Sequence, residues 1–395
     1  MKTTSRVLHV ITAFDRGGAE NHLADLVRHQ RETGVDVTIA FLRGRGSLAA
    51  AMRQLGVTVH HLALRFYGDP RPLWRLRRII ASGRFDLVHA HLPPAELYAR
   101  LALLGTPACV LPLILSKHND CPFHNLPGEL LMERWVARRA SAMIVISDAV
   151  ERYMTARKVG RAPCRMATIR YGIDVAPFEQ VTPDAVAVLR REWNVGSGTL
   201  VFGFVGRLVP QKSIDTLIRA FALFLGRERR DAKLVIVGDG PLMPALQRCA
   251  EEAGVAAHVV WAGFREDIPT VMRAFDVFTL TSVFEGFGLV LVEAMAARKP
   301  VIATRISAIP EVVIDGETGL LAKPRDAETI ATALAKLTDG ALRARLGEAG
   351  HRRVSEHFTL DRMWQATDAL YASCRGSTAG QSEAASTRLA TAPTT

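Results

Sequence analysis

The chain has 395 residues, of which 49% are hydrophobic and 23% charged, and a net charge of +11. This length suggests two or three domains with real cores, and no run approaches the ~20 apolar residues that cross a bilayer. The five cysteines are scattered without a C-x-x-C pair, which argues against a disulfide framework or a zinc cluster, and Asp15, Arg16 and Glu20 stand where a signal peptide needs a small-residue cleavage site.

Short apolar, β-branched runs recur along the chain, each followed by a helix-like stretch. In the first half they are 6–12, 36–42, 57–62, 86–90, 108–115, 142–146 and 166–169; in the second, 200–205, 233–237, 258–261, 277–280, 300–303 and 319–321. Runs of this length without alternation are expected of strands buried on both faces. Helices between them supply right-handed crossovers, so each half should be a doubly wound parallel sheet. The pattern restarts after Tyr171–Glu179, where a Gly and a Pro follow the last strand of the first half. Residues 359–372 read as a terminal helix anchored by Met363, Trp364, Leu370 and Tyr371. Residues 375–395 are small and polar and are expected to be a disordered tail.

Ligands of open α/β sheets bind beyond the carboxyl ends of the strands, so motifs directly after strands carry the most weight. Asp15-Arg16-Gly17-Gly18-Ala19-Glu20 follows the first strand and opens a helix; Gly17 and Gly18 suit either a tight turn or an approach to phosphate. It is not G-x-G-x-x-G, and the chain holds no P-loop motif. Gly206-Arg207-Leu208 with Lys212 places two cations after the first strand of the second half, suited to a leaving diphosphate or to solvent. Glu285-Gly286-Phe287-Gly288 leads into a helix that carries Glu293, so two carboxylates flank free N–H groups at a helix start. A carboxylate in the apolar face 289–297 is costly to bury unless partnered.

With Val237-Gly238-Asp239-Gly240-Pro241, and with Pro310-Glu311 before Gly316-Glu317-Thr318-Gly319, this ordered set resembles the retaining glycosyltransferases of family 4 (group 1), over roughly residues 5–373. The resemblance implies the GT-B fold: two Rossmann-like domains facing across a cleft, with a C-terminal helix crossing back. The domains would be 1–175 for the acceptor and 176–357 for the nucleotide sugar, followed by a crossover helix at 358–374. It further implies that Arg207 and Lys212 bind the nucleotide diphosphate, Glu285 the sugar hydroxyls and Glu293 the ribose. The backbone at Gly263, Phe264 and Arg265 would receive the base. Phe287, Gly288, Leu289 and Val290 would give amides to sugar and phosphate, and Gly17 and Gly18 would approach the phosphates. His118, in Ser116-Lys117-His118-Asn119, matches the family's active-site histidine, although His89 and His91 compete with it.

No D-x-D triplet is present, so metal-independent transfer without a cofactor is expected, with cations and helix ends replacing the metal. No carboxylate nucleophile is evident, which favours same-face attack over a glycosidase-like pair. The expected function is transfer of a sugar from a nucleotide-diphosphate sugar to a hydroxyl of a glycan or lipid-linked acceptor, in bacterial cell-surface polysaccharide synthesis. A GT-B sugar-nucleotide epimerase and a catalytically silent sugar-nucleotide-binding subunit are the alternatives.

Residues 1–195 hold 27 Lys and Arg against 17 Asp and Glu, a net of +10, whereas the remainder is almost neutral. The segments 71–80 and 130–139 are basic and amphipathic, with Leu73, Leu76, Ile79 and Ile80 on one stripe of the first. They suit either packing on the first domain's core or peripheral contact with an anionic membrane. No nucleic-acid reader motif appears. A cytoplasmic protein is expected, in solution or at the cytoplasmic face of the inner membrane.

Overall fold

The computed structural model describes residues 5–15, 17–119, 128–160 and 164–390, with side chains to Arg375. Arg16 of the first glycine motif lies outside the described residues. The chain divides into two units, Met1–Arg170 with Met363–Thr395, and Tyr171–Arg362.

The first unit is built on seven strands: β1 (Arg6–Ala13), β2 (Asp36–Arg43), β3 (Thr58–His61), β4 (Leu87–His91), β5 (Leu113–Lys117), β6 (Ala142–Val145) and β7 (Arg165–Thr168). They pair in parallel in the order β3-β2-β1-β4-β5-β6-β7. Central β4 and β5 are buried at every residue, while edge strands β3 and β7 are half exposed. That gradient is why the central runs show no alternation of apolar and exposed polar residues. The expected strand 108–115 begins later, at Leu113, because Pro107–Val110 forms a 3-10 turn. Pro107 suits the first position of such a turn, and Pro112 lacks the N–H a ladder would use.

The second unit carries β8 (Leu200–Val205), β9 (Ala232–Val237), β10 (Val259–Gly263), β11 (Val277–Leu280), β12 (Val301–Thr304) and β13 (Gly319–Ala322). Their order is β10-β9-β8-β11-β12-β13, again parallel throughout. The helix Ile214–Glu228 presents Ile214, Leu217, Ile218, Phe221 and Phe224 to the core, the spacing of one helical face. Phe202 packs edge-on against both Phe221 and Phe224.

The last helix, Leu360–Ala390, rejoins the first unit. Met363, Thr367, Leu370, Tyr371 and Cys374 are buried at helical spacing, and Trp364 stacks on His29 with centroids 4.3 Å apart. The tail expected to be disordered instead continues as helix to Ala390. Its first fifteen residues hold no proline, and their alanines and glutamine favour the helical backbone.

Candidate active site

In the second unit the chain leaves β8 to one side of the sheet and β11 to the other, which makes β8/β11 the topological switch point. A crevice at the carboxyl ends of these strands is where such sheets bind ligands. The loops after β8 and β11 are stitched together there. Val283 N–H donates to Gln211 O (2.8 Å), the Gln211 amide donates to Phe284 O (2.9 Å), and Thr281 Oγ1 donates to Lys212 O (3.0 Å). Lys212 Nζ meets Glu285 Oε2 at 2.7 Å, and Ser282 Oγ donates to the same oxygen at 3.1 Å. Both side chains of this ion pair are about 85% buried, being 16% and 15% exposed.

A third loop, after β9, underlies the first. Gly238 has φ +126°, and a Cβ there would sit 2.0 Å from Gly206 O; one at Gly240 would sit 2.5 Å from Leu208 O. Only glycine allows that approach. Leu208 N–H completes the contact by donating to Asp239 O at 2.8 Å. Arg207 is left exposed on this base, and its guanidinium pairs with no carboxylate among the described residues.

Gly288, at φ +85°, turns the chain into the helix Leu289–Ala296, whose N-cap position makes no side-chain hydrogen bond. The N–H groups of that first turn therefore lack a capping side chain. Phe287 is 2% exposed and packs edge-on against Tyr171 and Phe358, so its ring belongs to the core and its backbone alone is available. Glu293 is half-buried among Leu291, Val292, Ala294 and Met295, all buried. Gly263 ends β10 with φ +65°, and its carbonyl accepts from Gly238 N–H at 2.7 Å. Phe264 is exposed, while Arg265 is held by Asp267 and Glu192.

The first unit holds a buried histidine seam. His9 of β1 faces His91 of β4 (Nδ1 to Nε2, 3.1 Å) and Gln30 (2.9 Å); His89 meets Tyr371 (2.6 Å) and Ser116 (2.7 Å). The His91 ring lies 5.9 Å from that of His118, which in turn is 6.1 Å from His22. Burial, reinforced by neighbouring imidazoles, pushes His22 and His118 down to about 3; burial lowers His9 to about 4, against the raising effect of its bond to Gln30. His89 and His91 are also lowered well below their ordinary value by burial and by the other histidines. All five are neutral near pH 7. Nitrogens of His9, His89 and His91 lie within 4.8 Å of one another, a spacing that could hold a metal, but that cluster contains no carboxylate. Its ring nitrogens are mostly spent on the hydrogen bonds above.

His118 differs from His89 and His91 in lining a cavity of about 30 Å³, with Lys117, Asn119, Glu129, Glu133 and Tyr153 among its walls. Lys117 is 4% exposed and bridges Glu96 (2.6 Å) and Glu133 (2.9 Å), fixing the strand end that carries His118. Gly17 is extended, and a Cβ on Gly18 would meet nothing within 4 Å. The start of helix Gly18–Glu32 is therefore open at Gly18, whereas at Gly17 a Cβ would run into the Glu20 carboxylate.

Residues 187–353 match the sequence model of Glycosyl transferases group 1, and residues 16–176 that of Glycosyltransferase Family 4. A GDP-mannose-dependent alpha-(1-6)-phosphatidylinositol monomannoside mannosyltransferase of Mycolicibacterium smegmatis is 31% identical over 366 residues, 89% of this chain and 92% of its own. The chain belongs to glycosyltransferase family 4. A D-inositol 3-phosphate glycosyltransferase of Kribbella flavida is 29% identical over 371 residues, covering 85% of this chain and 86% of that one. The fold is that of Alr3699/HepE from Anabaena (TM-score 0.83, 24% identity, 93% and 100% covered). Sucrose-phosphate synthase from Thermosynechococcus elongatus shares it too (0.79, 20%, 94% and 100%). The protein is thus a GT-B glycosyltransferase that takes its sugar from a nucleotide sugar.

In this family 4 enzyme the switch point of the second unit brings together Arg207, Lys212 and Glu285, with Gly288–Val290 opening the helix after the same loop. Gly17, Gly18 and His118 belong to the first unit. Sequence reasoning missed Ser282 and Gln211, which fix Glu285 and its loop, and missed Glu96 and Glu133 as partners of Lys117. A lysine closing a largely apolar strand was the local signal that buried carboxylates must lie nearby.

Proposed function

We propose that this enzyme transfers a sugar from a nucleotide-diphosphate sugar to a hydroxyl of a glycan or lipid-linked acceptor, with retention and without a metal, in bacterial cell-surface polysaccharide assembly. The Lys212–Glu285 pair at the switch point carries the reading: it sets a cation and a hydrogen-bond-accepting carboxylate side by side where such sheets bind ligands. Arg207 and Lys212 neutralise the diphosphate as its charge grows. Glu285 accepts from sugar hydroxyls and Glu293 from the ribose, while the backbone at Phe287, Gly288, Leu289 and Val290 donates to sugar and phosphate. The base lies on the backbone of Gly263, Phe264 and Arg265. Gly17 and Gly18 approach the phosphates, and His118, kept neutral, hydrogen-bonds the substrate rather than delivering a proton from an imidazolium.

Among the relatives, the Mycolicibacterium enzyme is named for GDP-mannose, and Anabaena HepE was solved with UDP-glucose. Both support a nucleoside diphosphate donor. Lys212 and Ser282 both engage Oε2 of Glu285, which suits a positioning role better than that of a nucleophile. In the retaining step the acceptor oxygen bonds to the anomeric carbon on the face from which the diphosphate departs. The acceptor proton passes to a phosphate oxygen of the leaving group.

Thermal shift across UDP, GDP, ADP and their sugars, on wild type and Glu293→Ala, tests this. One nucleotide family should stabilise the wild type, with or without EDTA, and lose its effect in the variant. A folded protein stabilised by none of them would overturn the donor site.

A further inference from the structure

We infer that one face of the first unit, formed by helices Pro70–Gly83 and Glu129–Ala137 and the segment Leu104–Val110 between them, docks on an anionic lipid surface. The argument begins with where the apolar residues went. In the helix Pro70–Gly83 the core takes Pro72, Leu76 and Ile80, while Leu73 and Ile79 are half-buried. The amphipathic stripe is thus used up by packing. Trp74 is not part of it and stands 66% exposed, beside Arg71, Arg75 and Arg78, all exposed. In the helix Glu129–Ala137 the core takes Val136 and Ala137, and Leu131 is left 69% exposed with Trp135 near it.

These residues form one neighbourhood. Arg77 lies 5.7 Å from the Trp74 ring centre and donates to Leu101 O and Leu104 O, tying the first helix to the exposed Leu104. Arg100 lies 4.8 Å from the Trp135 ring centre, and Arg139 donates to Cys109 O, next to the exposed Val110. Among the described residues, five of the ten large exposed hydrophobic residues, Trp74, Leu104, Val110, Leu131 and Trp135, belong to this face. A concentration of that kind marks an interaction surface rather than scattered exposure.

Charge selects the partner. Residues 62–111 and 129–139 contain ten arginines against Asp69, Asp86, Glu96, Glu129 and Glu133, of which Glu133 is paired with Lys117. Asp69 is buried and bound to Arg71, and Glu96 is buried against Lys117. The outward field is therefore cationic. Tryptophan with arginine around aliphatic side chains suits the headgroup boundary, where rings sit partly in hydrocarbon and guanidinium groups meet phosphate. Nucleic acid offers no such apolar layer for Val110 and Leu131. The contact is peripheral, because among the described residues no helix is long and apolar enough to cross a membrane.

The inference rests on the first unit's surface and does not depend on the donor site. Co-sedimentation with vesicles of phosphatidylcholine, with and without phosphatidylglycerol, tests it on the full chain. Wild type should bind the phosphatidylglycerol vesicles, less so as salt rises. Arg78→Gln should weaken binding roughly fivefold, and Trp74→Ser/Trp135→Ser at least tenfold, with nucleotide-induced thermal shifts unchanged. Failure to bind the anionic vesicles, equal binding to phosphatidylcholine alone, or full binding by the variants would overturn it. Loss of nucleotide shifts with vesicle binding intact would instead count against the donor site and leave this surface standing.

Discussion

Replacing Lys117 by methionine removes the cation that bridges two buried carboxylates and strands Glu96, while Glu133 keeps Arg157 at 3.5 Å. Glu96 is 4% exposed at its side chain, its Oε2 meets only Lys117, and its Oε1 is buried without a hydrogen-bond partner. Burial raises Glu96 above its ordinary value while Lys117 opposes that rise. Against the lowering effect of its own burial, Lys117 is held raised by Glu96 and Glu133. Breaking such a pair costs about 3–5 kcal/mol, mostly by stranding the remaining charge. For a unit of this size that is a fall of roughly 6–20 °C in Tm. Scanning calorimetry of the full chain reads it, with the second unit's transition as internal reference. The sign with pH is fixed. In Lys117→Met the folded-state pKa of Glu96 rises further, so the penalty is absent below the unfolded value near 4.5 and grows as pH rises above it. The gap from wild type should therefore be wider at pH 8 than at pH 5, and Glu96→Gln in the same chain should recover most of it. A cost under about 1 kcal/mol, or no rescue by Glu96→Gln, would refute the reasoning.

Gly238→Ala should destabilise the second unit by at least about 2 kcal/mol, because its Cβ meets Gly206 O at 2.0 Å and its φ is +126°. Urea unfolding measures this, and weakened nucleotide binding should accompany it, since Arg207 rides on that loop. The histidine seam should make the first unit acid-sensitive. His9, lowered from 6.5 to about 4, contributes stability that is present above pH 6.5 and is lost as pH falls toward 4. That loss is about 2 kcal/mol by pH 5 for this group alone. A pH series of unfolding curves should show it, with a shallower slope in His9→Gln.

Both sheets were legible in the sequence because parallel strands covered on two faces are largely apolar and do not alternate, a signal that is local and survives without knowledge of the partner strand. Thirteen such runs became thirteen strands, with one start displaced by Pro107 and Pro112. The loop after β11 was legible too, because glycines between two glutamates ahead of an apolar helix are conspicuous in any one-dimensional reading. The Lys212–Glu285 bond was not, since 73 residues separate its partners and only the β8/β11 adjacency brings them together. Position alone singled out His118 from His89 and His91; packing then tied His89 to Tyr371, 282 residues away, and set His118 beside a cavity. The same limit applies to Trp74. Periodicity shows which side of a helix is apolar, but how much of that side the core has room to accept is decided by the elements packed against it. What the sequence by itself determined was the local chemistry, meaning strand, helix start, glycine and charge. The tertiary structure decided which buried charges found partners and which aromatic rings were left outside, because both depend on contacts between residues that the chain keeps far apart.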